Sequence, residues 1–153
     1  MPARVRASNA TIRWLTHPPE GAPRLTVGSH TFAAVPLAID SDAPHPLATS
    51  PGELLAGAFG SIFAWQVAEE LLAEQTPARE LVVEVGLTAE MPPEGENRDI
   101  ALREIACAVE ARLPGLAPEH LQAIAERIGT KSAQSLGLRP DIAIRVSSTV
   151  VGG

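Results

Sequence analysis

The sequence predicts a single α+β domain over residues 1–153, with the element order β-β-β-α-β-β-α-β. Three observations carry this prediction. Short alternating apolar and polar runs open the chain, a nearly all-apolar helical segment follows, and the second half combines longer alternating runs with an amphipathic helix. A length of 153 residues suits one domain with its own core. Because only 3% of the residues are aromatic, that core must be aliphatic and rich in alanine.

The first 50 residues predict three short strands followed by a loop. Residues 10–16 alternate apolar and polar side chains, as a strand with one buried face does. The Pro-Pro-Glu-Gly stretch at 18–21 predicts a turn, and residues 24–28 and 30–35 predict a hairpin around Gly28 and Ser29. Residues 37–49 are rich in proline, aspartate and serine and predict a loop.

A long helix is predicted from Pro51 to about Ala73. Ser50 suits its N-cap, Pro51 suits its first turn, and Glu53 completes a capping box with Ser50. Apolar side chains cover nearly the whole circumference of its first four turns, and a helix that is apolar on all sides is a buried helix. One chain of 153 residues cannot easily cover such a helix alone. The sequence therefore predicts a long buried central helix in an obligate homodimer.

The second half of the chain predicts three strands and one more helix. The strands are expected at 80–91, 100–113 and 141–151. The helix is expected to begin at Pro118 and to stop at Gly129, with one further turn at 132–136. In the strand at 100–113, alternate residues form an apolar face that places the only cysteine in the core: Ile105, Cys107, Val109, Ala111 and Leu113.

Composition argues against several classes of function. The net charge of −6 and a pI near 5.2 argue against a nucleic-acid surface. We expect no signal peptide and no membrane span, hence a cytoplasmic protein. The four histidines lack the spacing of metal ligands, and we expect neither a metal nor a cofactor. Ser61 and Ser132 lack the Gly-x-Ser-x-Gly elbow of serine hydrolases.

Two segments carry a resemblance to a known family. Residues 50–58, Ser-Pro-Gly-Glu-Leu-Leu-Ala-Gly-Ala, are similar to the Asn/Ser-Pro-Glu-Glu/Gln-Leu entry of that family's central helix. Residues 106–138 contain Val-Glu-Ala-Arg-Leu-Pro-Gly-Leu and Leu-Gln-Ala-Ile-Ala and resemble its strand, Pro-Gly turn and second helix. Over most of its length the chain thus resembles the OsmC/Ohr family (osmotically inducible protein C and organic hydroperoxide resistance proteins). The resemblance implies an intertwined homodimer whose central helices share one core.

The resemblance also implies reduction of organic hydroperoxides by a cysteine pair, assisted by a glutamate and an arginine. This chain departs from that pattern at each position. The peroxidatic cysteine corresponds to Ile62, the resolving cysteine to Ser132, and the catalytic glutamate to Gly52, with Glu53 one place later. The family's arginine turn corresponds to the Pro-Glu-Gly at 19–21. No catalytic residue is therefore expected, and the family's peroxidase activity is predicted to be lost.

Three hypotheses of different classes follow. The first is a dimeric scaffold that keeps an apolar pocket for a small apolar molecule or an acyl chain. The second is an enzyme: either the hydroperoxide reductase that the family implies, or an enzyme of another type that uses Glu53, Arg24 and a histidine. The third is a purely structural or interaction protein. The residues expected to line the pocket of the first hypothesis are Glu53, Phe59, Ile62, Phe63 and Trp65.

Overall fold

A computed structural model describes residues 10–14, 20, 25–29, 35–36, 51–90 and 101–152 of the chain. These residues fall into two compact units, Met1–Leu54 and Leu55–Gly153. The first unit contains an antiparallel sheet in the order β1-β2-β3, formed by β1 (Ala10–Trp14), β2 (Leu25–Ser29) and β3 (Val35–Pro36). A proline is tolerated in β3 because this strand lies at the sheet edge, where a missing N–H breaks no ladder.

The predicted hairpin turn at Gly28 and Ser29 is wrong. Both residues continue β2, where Gly28 is opposite Thr11 and Ser29 is opposite Ala10. The pairing of β2 with β3 begins only with Val27 opposite Val35. The sequence signal failed because glycine and serine are typical turn residues, whereas the ladder with β1 holds them extended here.

The second unit has a three-stranded mixed sheet with two helices on one face. The strands β4 (Glu80–Glu90), β5 (Ala101–Arg112) and β6 (Ala143–Val151) follow the order β4-β5-β6, with β4 antiparallel and β6 parallel to β5. The helix α2 (Pro118–Ser135) makes the crossover between the two parallel strands. The helix α1 (Pro51–Ala73) begins and ends where the sequence predicts.

Both helices pack closely against the sheet, and two glycines permit this approach. A Cβ atom on Gly60 of α1 would lie 2.9 Å from Val85 Cγ2 of β4, and one on Gly129 of α2 would lie 2.8 Å from Val146 Cγ2 of β6. Between the helices and the sheet lies an aliphatic core that includes the whole predicted apolar face of β5. Its buried members are Phe59, Phe63, Val67, Leu71, Ile105, Cys107, Val109, Ala111, Leu113, Leu121, Ile124, Ala125, Ile128 and Ala133.

The prediction that the second helix stops at Gly129 is wrong. Helix α2 continues to Ser135, and Gly137 follows with a φ of +68°, a conformation that glycine adopts without a steric penalty. The N–H of Leu138 donates to the carbonyl oxygen of Ala133 at 3.0 Å, and that of Gly137 donates to Gln134 at 3.0 Å, which closes the last turn. Gly129 serves helix–sheet packing and not helix termination.

Helix α1 is buried on one face only within this chain. Phe59, Phe63, Val67 and Leu71 are fully buried, whereas Trp65 is 64% exposed and Leu72 is 57% exposed. The expectation of a helix buried on every side is thus not met by one copy of the chain. Among the residues that the structure describes, no helix is long and apolar enough to cross a membrane.

Candidate functional site

Ser132, one of the predicted site positions, lies at the contact between the two helices, and Ile62 lies one helical turn before the residue that Ser132 contacts. Ile62 is half-buried in the fourth turn of α1, and Ser132 is fully buried near the end of α2. The Ser132 hydroxyl donates a hydrogen bond of 2.7 Å to Oε1 of Gln66, which lies one helical turn after Ile62. Gly52 is exposed in the first turn of α1, about 15 Å along the helix axis from Ile62 at 1.5 Å per residue.

Neither Ile62 nor Ser132 offers a reactive nucleophile. An isoleucine has no atom that can attack a peroxide, and a serine hydroxyl requires a neighbouring general base to become nucleophilic. The partner of the Ser132 hydroxyl is a neutral amide oxygen, which does not accept the proton in a chemical step. This hydrogen bond satisfies a buried polar group and holds α2 against α1.

Two further pairs continue this contact between the helices. Glu70 accepts a hydrogen bond from Arg127 at 2.7 Å, and Glu74 contacts Nε2 of His120 at 2.6 Å. The hydrogen bond from Arg127 lowers the pKa of the Glu70 carboxyl and raises that of the guanidinium. A carboxylate held in an ion pair is a poor general base. These pairs are partly exposed and contribute more to the mutual orientation of the helices than to stability.

The only sulfur nucleophile of the chain lies in the core. Cys107 is 3% exposed on the face of β5 that meets the helices, between Ile105 and Val109. Burial raises the pKa of its thiol to about 11. At pH 7 only about one thiol in ten thousand is then a thiolate, the form that attacks peroxides.

The five predicted pocket residues do not share one environment. Phe59 and Phe63 are fully buried and stack on each other with ring centroids 6.4 Å apart, so within this chain they belong to the core. Trp65 is 64% exposed, and Glu53 is exposed in the first turn of α1. An apolar pocket beside Ile62 stays a prediction.

A groove that the sequence does not predict lies along the sheet, and most of its lining residues belong to the strand face that alternates with the core residues. It is open to solvent, and its volume is about 440 Å³. Small side chains recur along the outer faces of the three strands and leave room for this groove. The pattern can be seen in the sequence only when the pairing register of the strands is known. Its lining residues are Glu84, Val85, Gly86, Ala106, Cys107, Ala108, Arg145, Val146 and Ser147.

The other kinds of site considered from the sequence, a metal site and an enzyme site with a histidine, have little support in the described part of the chain. No group of three histidine, cysteine or acidic side chains is placed there to hold a metal ion. His120 pairs with Glu74 at the helix contact. The remaining candidates lie outside the described residues, namely Arg24, His17, His30 and His45.

Comparison with known proteins gives a consistent result at the level of structure. No protein-family model and no curated protein matches the sequence. The organic hydroperoxide resistance protein OsmC of Legionella pneumophila matches with a TM-score of 0.66 at 14% identity, over 96% of this chain and 99% of that chain. OhrB of Bacillus subtilis matches with a TM-score of 0.69 at 12% identity, over 94% and 98%. The chain has the OsmC/Ohr fold.

Further solved structures agree with this OsmC/Ohr assignment. An organic hydroperoxide resistance protein from Elizabethkingia anophelis matches with a TM-score of 0.68 at 18% identity, over 98% of this chain and 99% of that chain. The predicted α+β class and its OsmC-like element order are therefore confirmed. At these identities the likeness shows the OsmC/Ohr fold and not the activity.

Proposed function

We propose that this chain is an OsmC/Ohr protein that keeps the family scaffold as a homodimer but lacks thiol-dependent hydroperoxide reduction. One observation carries the proposal: the single cysteine is buried in the core at Cys107, with its thiol pKa raised to about 11. The positions that correspond to the family's two cysteines hold Ile62 and Ser132. The scaffold remains while the sulfur chemistry is gone.

The reaction that is lost needs two sulfur atoms. A thiolate attacks the O–O bond of the hydroperoxide, becomes a sulfenic acid and releases an alcohol. A second thiol then condenses with the sulfenic acid, so that a disulfide forms and water leaves. One chain with one cysteine cannot complete this cycle internally, and Cys107 lies too deep in the core to begin it.

A trapping experiment tests the first step of this chemistry. The native protein is treated with one equivalent of tert-butyl hydroperoxide in the presence of dimedone. The mass of the peptide that contains Cys107 is then measured by mass spectrometry. We expect no adduct within minutes at pH 7, and the Cys107→Ser variant gives the background. Stoichiometric trapping in the native protein would overturn the proposal, because it would show a reactive thiolate.

The homodimer is supported by the exposed side of α1. Leu54, Leu55, Trp65 and Leu72 are each between 39% and 64% exposed, on a helix whose other face is buried. Large apolar side chains clustered on one exposed helix face mark an association surface. A second copy of α1 offers the same apolar side chains, which suits a symmetric contact.

The proposed role of the dimer is to bind a small apolar molecule beside Ile62. Support comes from Ile62, which is half-buried, and from the aromatic side chains close to it in sequence. Displacement of N-phenyl-1-naphthylamine by medium-chain acyl compounds tests this role. Ile62→Asp should abolish binding, while Ser135→Asp, exposed on α2, should leave it intact. Equal binding by both variants would contradict the assigned site.

We also propose that the chain forms a single domain, binds no metal or cofactor and is located in the cytoplasm. The extent of the structural matches supports the single domain, since whole OsmC/Ohr chains cover 94–98% of this one in the three comparisons above.

A further inference from the structure

We draw no further inference here: the strongest candidate, the shallow groove on the outer face of the β4-β5-β6 sheet between Glu84 and Arg145, carries nothing because nothing in the structure shows what covers it.

Discussion

The side chains of Cys107 and Ser132 are both buried, but the thiol has apolar neighbours whereas the hydroxyl donates to the Gln66 amide oxygen. Alternation along the strand at 100–113 was enough to predict that Cys107 faces the core, because a strand exposes alternate residues to one side. The partner of Ser132 was not predictable. Gln66 lies 66 residues away in the sequence, and only the packing of the two helices brings the side chains within 2.7 Å.

The thiol of Cys107 should react slowly in the native protein. An aromatic disulfide reagent at pH 8 is expected to need hours with the native protein and seconds in guanidinium chloride, because burial hinders both access and ionisation. Ser135→Cys in a Cys107→Ala background supplies an exposed thiol as the control and should react at once. Native labelling of Cys107 at the control's rate would show that the thiol is accessible.

The raised pKa of Cys107 also predicts a pH dependence of stability. The folded thiol keeps its proton to about pH 11, whereas the ordinary pKa of a thiol is 9.0. The stabilisation that comes from the buried neutral thiol is therefore fully present below pH 9. As the pH rises through 11, the free energy of unfolding should fall by on the order of 2 kcal/mol. The chain has no tyrosine and a single lysine, so it contains few side chains of the types that ordinarily titrate in this window.

Chemical denaturation at pH 8 and pH 11 measures this effect. The fall in the free energy of unfolding should be smaller in Cys107→Ser, and the difference between the two proteins isolates the thiol. Identical pH dependence in both proteins would mean that Cys107 ionises as easily when folded as when unfolded.

At the scale of elements, the ends of the helices follow local sequence signals, except where a residue that resembles such a signal serves tertiary packing instead. The start of α1 was predictable from Pro51 and Glu53, which suit the first turn of a helix. The end of α2 was not, because Gly129 resembles a stop signal in sequence but meets β6 in space. A glycine selected for close packing and a glycine selected for a turn look alike without the structure.

Gly129→Ala should therefore destabilise the protein. Its Cβ would lie 2.8 Å from Val146 Cγ2 and 3.3 Å from Ile144 Cγ2, both on stiff β-branched side chains. We expect a loss of about 1–3 kcal/mol by overpacking, although alanine favours a helix intrinsically. The matched control is Gly57→Ala in α1, where a Cβ meets nothing within 4 Å and should stabilise the helix. Equal stabilisation by both changes, measured in urea, would contradict the close packing.

The contact between α1 and α2 should depend on the hydrogen bond of Ser132. Gln66→Leu leaves the buried hydroxyl without its partner and should cost about 1–3 kcal/mol. Ser132→Ala removes the buried hydroxyl itself, and the double variant should be more stable than the sum of the two single losses predicts. Strictly additive losses in this double-mutant cycle would show that the two side chains are not coupled.

At the scale of the whole molecule, the fold was predictable from the order of the elements and two short motifs, and the burial of α1 was not. A hydrophobic pattern shows that a helix needs covering, but it does not show whether its own chain or a second copy supplies the cover. In the structure of one chain, one side of α1 stays exposed, and we expect a second copy of the chain to cover it.

We expect a mass of about twice 16.0 kDa by light scattering at micromolar concentration. Trp65→Glu places a charge on the exposed side of α1 and should shift the mass to that of one chain. Val82→Glu, at an exposed apolar position on β4, is the control and should leave the dimer intact. A stable monomeric wild-type protein would remove the support for the dimer.

Steady-state consumption of hydroperoxide tests directly whether this protein with the OsmC/Ohr fold lacks thiol-dependent peroxidase activity, as we propose. Purified protein is mixed with a dithiol reductant and either tert-butyl or lipid hydroperoxide, and the peroxide that remains is measured over time. We expect a rate equal to that of Cys107→Ser for both substrates, because the Cys107 thiol is buried and its pKa is raised to about 11. Turnover well above that variant would contradict the proposal.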